Sequence, residues 1–282
     1  MNITFYGARG SLPVCSPEFM EFGGNTTCLV IGFDDSDHKI VIDAGTGIRN
    51  FGKDCMASQN GGAMMFCFSH FHWDHIQGLP FFAPAYSPDT HMIFMVLQQN
   101  DNNQDIKKIL EGQMREEYFP VPLNKMGGNF YFTQQPGNEH DFMRTRIIGK
   151  KHTHPGGAFS FRFEKDERTI VVRTDAEYPE GISDEDVEFC QAADILVHDA
   201  QYTSEELEQR KGWGHSSYEQ VIELARRAQV KHLVMTHHDP EHDDEFLNGQ
   251  EKRCRLQFQN CTFAREGTSI SAAQKPATCS TA

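Results

Sequence analysis

The string Ser69-His70-Phe71-His72-Trp73-Asp74-His75 follows directly on the apolar run Met64-Met65-Phe66-Cys67-Phe68. A short, nearly continuous apolar run is the pattern of a strand buried on both faces, and such a strand needs a layer of structure on either side. At its end, three imidazoles and one carboxylate stand within six consecutive positions. Side chains two apart in an extended segment share a face, so His70 and His72 can close on one ion. A turn into helix near Ile76 would carry Asp74 and His75 round to a second. Imidazole and carboxylate are ligands zinc accepts, and a histidine-rich set without thiolate has the make-up of a catalytic site that keeps a position open for water. Histidines merely satisfying hydrogen bonds at a strand end are the bland alternative, and the density of the string weighs against it.

The rest of the chain supplies the layers. Strands are expected over 3–6, 28–31 and 39–42, bounded by Gly, Asp or Pro, with a helix after Gly47. A buried strand follows over 92–97 and an amphipathic helix over 105–118. Further strands start at Phe130 and run over 159–163 and 169–173. Helix and strand then alternate: a helix over 183–192 opening on Ser183-Asp184-Glu185-Asp186, close to a capping box, a strand over 195–197, a helix over 216–228 and a strand over 233–235. No 20–50-residue period repeats. The order predicts one α/β layered domain over residues 1–267. Residues 268–282, rich in Ser, Thr and Ala without apolar period, are expected to form a disordered tail.

Composition excludes several partners. Lys and Arg number 26 against 40 Asp and Glu, a formal charge of −14, and the longest basic cluster is Lys150-Lys151; long nucleic acids are disfavoured. No apolar run approaches the roughly 18–20 residues that cross a bilayer, and the first residues lack the basic start of a signal peptide, so no membrane partner and a cytoplasmic location are expected. Eight cysteines lie scattered without a CxxC pair and read as reduced thiols, Cys28 and Cys67 as small core residues. Phe81-Phe82-Ala83-Pro84-Ala85-Tyr86 reads as an apolar lid or a partner-facing patch, which leaves a homo-oligomer open.

The HxHxDH segment resembles the signature of the metallo-β-lactamase fold hydrolases, and the resemblance extends to about Gly267. It implies a four-layer αββα sandwich, two mixed β-sheets flanked by helices, with two divalent metal ions at one edge. Zinc is the default, with manganese or iron as alternatives. The first ion would take His70, His72 and His154; the second would take Asp74, His75 and His237, with Asp175 shared. His154 directly precedes Pro155-Gly156-Gly157, and His152, on the same face by spacing, is the alternative. Asp175 follows the strand Val171-Val172-Arg173, and His237 follows Leu233-Val234-Met235, with His238 pointing away. Asp43, in Val41-Ile42-Asp43-Ala44-Gly45, is implied behind the ions, orienting a ligand histidine.

Gly214-His215-Ser216-Ser217 resembles the GHST segment of the ribonuclease Z and small phosphodiesterase branch, where the histidine stands beside the leaving group. It falls 40 residues after Asp175 and 22 before His237. His198-Asp199-Ala200 resembles that branch's HEA segment with Asp for Glu, and Asp199 is expected to pair with His215 and favour its protonated ring. Asp74, His215 and Asp199 are thus the expected catalytic residues. The turns Gly7-Ala8-Arg9-Gly10-Ser11 and Gly23-Gly24-Asn25-Thr26-Thr27 match the start of bacterial members. Arg9, as a phosphate clamp, and Asn25 are candidate substrate contacts, with tight hairpin turns as the alternative. The implied reaction is attack of a metal-bridging hydroxide on a small phosphodiester, cyclic or linear, with His215 as general acid. A lactone or carboxylic ester hydrolase on the same ions is one alternative and ribonuclease Z-like RNA processing another. That branch sets a long basic arm between the third histidine and the shared Asp, and only 21 residues separate His154 from Asp175.

Overall fold

The computed structural model describes residues 1–58, 62–97, 106–135 and 138–272. Strands numbered in chain order form two seven-stranded sheets. The first holds β1 (Asn2–Gly7), β2 (Cys28–Phe33), β3 (Ser36–Ile42), β4 (Met64–Cys67), β5 (His91–Leu97), β6 (Asn129–Gln135) and, outside β1, β14 (Ser269–Ser271). The second runs β7 (Glu139–Phe142), β8 (Thr145–His152), β9 (Ala158–Lys165), β10 (Arg168–Arg173), β11 (Ile195–Asp199), β12 (Leu233–Thr236) and β13 (Cys261–Phe263). Both sheets are mixed. β3 to β6 pair in parallel, as do β10 to β13, and the remaining neighbours are antiparallel.

The two-residue period of the strands builds the layers. Ile3, Phe5, Leu29, Ile31, Ile40 and Ile42 point inward and meet Ile147, Phe161, Phe163, Ile170, Val172 and Val197 of the other sheet. Alternate residues Val30, Val41, Phe66 and Phe94 point outward onto Ile48 and Phe51 of α1 (Ile48–Ser58) and Leu110 of α3 (Ile106–Gln113). On the opposite outer face Val171, Leu196 and Met235 pack on α6 (Tyr218–Arg227) and α7 (Asp244–Gln257). Helices, sheet, sheet and helices make the expected αββα sandwich, in which each buried Leu, Ile, Val or Phe contributes about 1.5–3 kcal/mol.

Local signals that carry a mechanism hold. Ser183 and Asp186 form a reciprocal capping box at the start of α4 (Asp184–Cys190). Two expectations change. The helix expected to reach residue 118 stops at Gln113 and gives way to turns; residue 105 lies outside the described residues. The expected tail is structured at its start, because Ile270 packs against the inter-sheet core and β14 pairs antiparallel with the edge of β1; residues 273–282 lie outside the described residues. Neither α5 (Ser204–Gln209) nor α7 was signalled, since α7 buries only Leu247, Gln250, Glu251 and Cys254 along 14 residues. Among the described residues no helix is long and apolar enough to cross a membrane. Seven cysteines are free thiols, Cys28 and Cys67 fully buried, and Cys279 lies outside the described residues.

Candidate metal centre

Chemistry begins where the parallel strands end. After β4 the chain bends at Ser69 and reaches His72, the extended N-cap of α2 (Trp73–Ile76) at φ −64°, ψ 155°. The helix thus opens at Trp73, earlier than the sequence suggests. The rings of His70 and His72 lie 4.5 Å apart between centroids, those of His70 and His75 4.2 Å. Asp43, Asp175 and His237 each stand one or two residues past a strand end, with φ of 60°, 56° and 62°. Asp and His are among the residue types that accept this left-handed region, and held outliers of this kind gather at functional sites.

Two groups of side chains converge, each with ligand-type atoms within 4.8 Å of one another: His70, His72 and His154; and Asp74, His75, Asp175 and His237. Asp175 faces both, with Oδ1 3.9 Å from His70 Nε2 and 3.3 Å from His237 Nε2, and Oδ2 3.2 Å from His75 Nε2. Asp74 Oδ2 lies 3.2 Å from His75 Nε2 and 3.3 Å from His237 Nε2. His154 Nε2 is 3.1 Å from His72 Nδ1. His152 belongs elsewhere: Nε2 donates to the Thr174 and Asp175 carbonyls at 3.1 and 3.0 Å, and Nδ1 accepts from Ser160 Oγ at 2.9 Å. His238 bonds the Ala264 carbonyl through Nε2 at 2.9 Å, as a residue pointing away should.

The outward nitrogens of His70, His75, His154 and His237 are spoken for, an arrangement that fixes ring orientation and tautomer in metal sites. His75 Nδ1 donates to Asp43 Oδ2 at 2.8 Å, and Ser69 gives Asp43 its N–H and its hydroxyl, both at 2.7 Å. His237 Nδ1 donates to Gln201 Oε1 at 2.9 Å, His154 Nδ1 to the Gly214 carbonyl at 3.0 Å, and His70 Nδ1 lies 3.1 Å from Ser69 Oγ. Ser11 N–H donates to Asp74 Oδ2 at 2.9 Å. Two glycines permit the close packing. A Cβ at Gly10 would fall 2.3 Å from His237 Nδ1, and one at Gly214 2.0 Å from His154 Nδ1.

Inside this frame the donors fit cations. His70 Nε2 and His75 Nε2 are buried and make no hydrogen bond among the described residues, a costly state for a polar atom unless something fills the space. Burial opposes charge on His75, yet Asp175, Asp74 and Asp43 outweigh it and hold its pKa well above the ordinary histidine value. In the same way His237, lowered by burial and raised more by Asp175 and Asp74, is pushed up to about 9. Asp175, which burial alone would raise, is held well below the carboxylate range by His237, His75 and His70. A buried pool of negative charge calls for positive charge, and a bound cation would supply it.

Beside this pool, His215 Nδ1 donates to Asp199 Oδ2 at 2.8 Å and lies 3.9 Å from Asp175 Oδ1. Its ring stacks on His237 with centroids 4.9 Å apart. Asp199, His215 and His237 also cluster, but Asp199 is spent on His215 and, through Oδ1, on the Gln201 N–H at 3.0 Å. That bonding suits an oriented histidine rather than a further cation.

At the glycine turns the expected substrate contacts, Arg9 and Asn25, bond groups of the chain itself. Arg9 is fully buried, donating to the carbonyls of Gly23, Asp239 and His242 at 2.8–3.2 Å; it staples chain segments together and has no exposed face for a phosphate. Asn25 turns its side-chain amide to Glu266 Oε2 at 2.8 Å and its N–H to Oε1. The alternative of tight turns near the site is the one observed, and the Gly10-Ser11 turn serves Asp74 and His237 instead. In the expected lid, Phe82, Pro84 and Ala85 are buried. Phe81 is exposed and, with Phe71, Trp73, Tyr118 and Phe119, lines a cavity of about 570 Å³. Ser11, Ser69 and Gln201 were missed, although each adjoins a motif residue that was singled out.

A family model described as the beta-lactamase superfamily domain matches residues 38–238. The ribonuclease Z of Anoxybacillus flavithermus (strain DSM 21510 / WK1) is 29% identical over 131 residues, 46% of this chain. The match covers 38% of that protein, so this chain spans less than two fifths of the relative's length. Human tRNase Z, short form, superposes with a TM-score of 0.68 at 18% identity, over 97% of this chain and 100% of that one. A new diphosphatase from the PhnP family superposes with a TM-score of 0.68 at 16% identity, over 95% and 96%.

Proposed function

The chain belongs to the beta-lactamase superfamily, and on that premise we propose that it is a metal-dependent hydrolase cleaving a small phosphodiester, cyclic or linear. His70, His72 and His154 would hold one divalent cation and Asp74, His75 and His237 the other, with Asp175 between them; zinc suits this donor set. When bound, such a pair supplies Lewis acidity and a nucleophilic water near neutral pH.

The chain's own residues orient and move protons. Asp43, Gln201 and the Gly214 carbonyl take the outward N–H groups of His75, His237 and His154, which leaves the inward nitrogens facing the space a cation would fill. The Ser11 N–H holds Asp74. The reading is carried by the His215–Asp199 pair at 2.8 Å, fixed beside Asp175. With Nδ1–H given to Asp199, His215 has Nε2 left to hand a proton to the departing oxygen. Arg9 takes no part, so the substrate's charge would be met by the cations and His215.

A lactone or ester hydrolase on the same ions is the second reading, since one scaffold hosts many chemistries; its substrate carries no anionic group to offset. RNA processing is the third, following the names of the relatives. The β9–β10 hairpin, turning at Asp166 and Glu167, fills the interval between His154 and Asp175, and together with the −14 charge this supports a small substrate. Metal analysis of the purified protein followed by a screen with each ion restored tests the choice. Bis(p-nitrophenyl) phosphate, cyclic and linear phosphodiesters, lactones and a precursor transfer RNA form the panel. Two equivalents of metal with turnover of small phosphodiesters are expected; turnover of lactones alone, or of the RNA alone, overturns the reading.

A further inference from the structure

Just ahead of His215, the turn Gly212-Trp213-Gly214 has both glycines at positive φ, 84° and 94°, and their N–H groups converge on one carboxylate. Glu177 accepts from Gly212 N through Oε1 at 2.5 Å and from Gly214 N through Oε2 at 3.1 Å. Backbone concavities of this kind bind anions, and here the anion is the chain's own. Glu177 is 9% exposed and stands two residues past Asp175. Its own N–H donates to the carbonyl of Thr153, the neighbour of His154, at 3.0 Å. The carbonyl of Gly214 in turn accepts from His154 Nδ1. One carboxylate therefore joins three stretches that carry site residues: the strand end with Asp175, the loop with His154 and the turn leading to His215.

We propose that Glu177 is a positioning residue that holds the Gly212–Gly214 turn so that the Gly214 carbonyl keeps the proton of His154 on Nδ1 and its Nε2 free for a cation. Without it, two glycines are left to hold a turn that glycine readily abandons, and His154 loses the acceptor that sets its tautomer. The inference rests on reading His70, His72 and His154 as a cation site. Glu177 bonds neither His215 nor Asp199, and the contact that singles out its role at His154 is read by the affinity of the cation His154 would hold.

The test is zinc titration of the metal-free full chain against a chromophoric chelator, with ¹⁵N shifts of the histidine rings reporting the tautomer of His154. Glu177→Ala should weaken one of two zinc ions by about 10–100-fold, leave the other unchanged and shift the His154 ring signals. Glu177→Gln, which keeps one acceptor oxygen, should fall between. Gly214→Ala attacks the same contact from the other side, because its Cβ would meet His154 Nδ1. It should weaken the same ion, and the double variant should be little worse than the worse single one, since both break one contact. Unchanged affinity in Glu177→Ala, additive losses, or equal weakening of both ions with a lowered Tm would overturn the proposal in favour of a plain structural clamp. A wild-type protein that takes up no zinc would sink the reading of the centre and this inference with it, a failure distinct from wild type binding two ions and Glu177→Ala binding them equally well.

Discussion

The two halves of the centre share imidazole as their main donor and differ in what stands behind it. His70 and His154 rest on neutral groups, the Ser69 hydroxyl and the Gly214 carbonyl, and burial above all keeps both below the ordinary histidine pKa. His72 completes that half from an exposed position. The other half encloses Asp74, His75, Asp175 and His237, all buried, with Asp43 behind them. There the carboxylates overcome burial and keep His75 and His237 proton-bearing. One half is a set of neutral ligands ready at pH 7; the other is a buried negative charge that must be filled, by protons or by a cation. The carboxylate-rich half should therefore hold its ion more firmly, while the half open at His72 should exchange its ion first.

The largest effect should come where the halves meet. Asp175→Asn removes the one carboxylate that faces both groups, so both ions should be lost, together with more activity than the 10²–10⁴-fold a general acid contributes. Metal content by mass spectrometry and kcat/KM on bis(p-nitrophenyl) phosphate check this, and retention of both ions would erase the idea of a shared ligand. Next in size is His215→Ala. This variant should lose about 10²–10⁴-fold in kcat with two equivalents of metal still bound. Loss of an ion in that variant would move His215 from proton donor to ligand and redraw the boundary between the halves. Smaller still, Asp43→Asn should weaken chiefly the ion of the carboxylate-rich half, by about 10–100-fold, since Asp43 takes the His75 Nδ1–H directly and reaches His70 only through the Ser69 hydroxyl. Equal weakening at both ions would break the comparison.

The sequence made one half easier to read than the other. His70, His72, Asp74 and His75 fall in one short string after a buried strand, so periodicity and ligand chemistry alone bring them to one place. His154, Asp175 and His237 lie in strand ends far apart in the chain, and only the family resemblance joined them. Residues acting through backbone groups left no mark of their own. Arg9 in a glycine turn has the composition of a phosphate clamp, and only the path of three carbonyls around it turns it into a staple. Gln201, Ser11 and Glu177 work through hydrogen bonds across 36, 63 and 35–37 residues, separations that no local pattern encodes. Most inner strands of both sheets were legible from apolar runs, whereas the short edge strands β13 and β14 were not. The polar helix α7 was not, because most of its surface faces away from the core.

The finest distinction between the halves is their response to pH in the metal-free protein. His237, at about 9, and His75, held well above its ordinary value, both keep protons that an incoming cation must displace. Affinity in that half should rise about 10-fold per pH unit for each proton displaced, slackening above about pH 9 as His237 empties. The histidine-only half is already neutral at pH 7, so its affinity should stay flat over the same range. Stability carries the opposite sign. A histidine whose folded pKa lies above its unfolded value of 6.5 stabilises the fold fully below that value and loses the contribution as pH rises through the folded one. The chelated protein should therefore lose Tm between about pH 6.5 and 9, while the zinc-loaded protein, whose cation replaces those protons, should not. Parallel melts of the two forms across that window read the difference directly; coincident pH profiles would mean that the carboxylate-rich half is not filled in the way its charge requires.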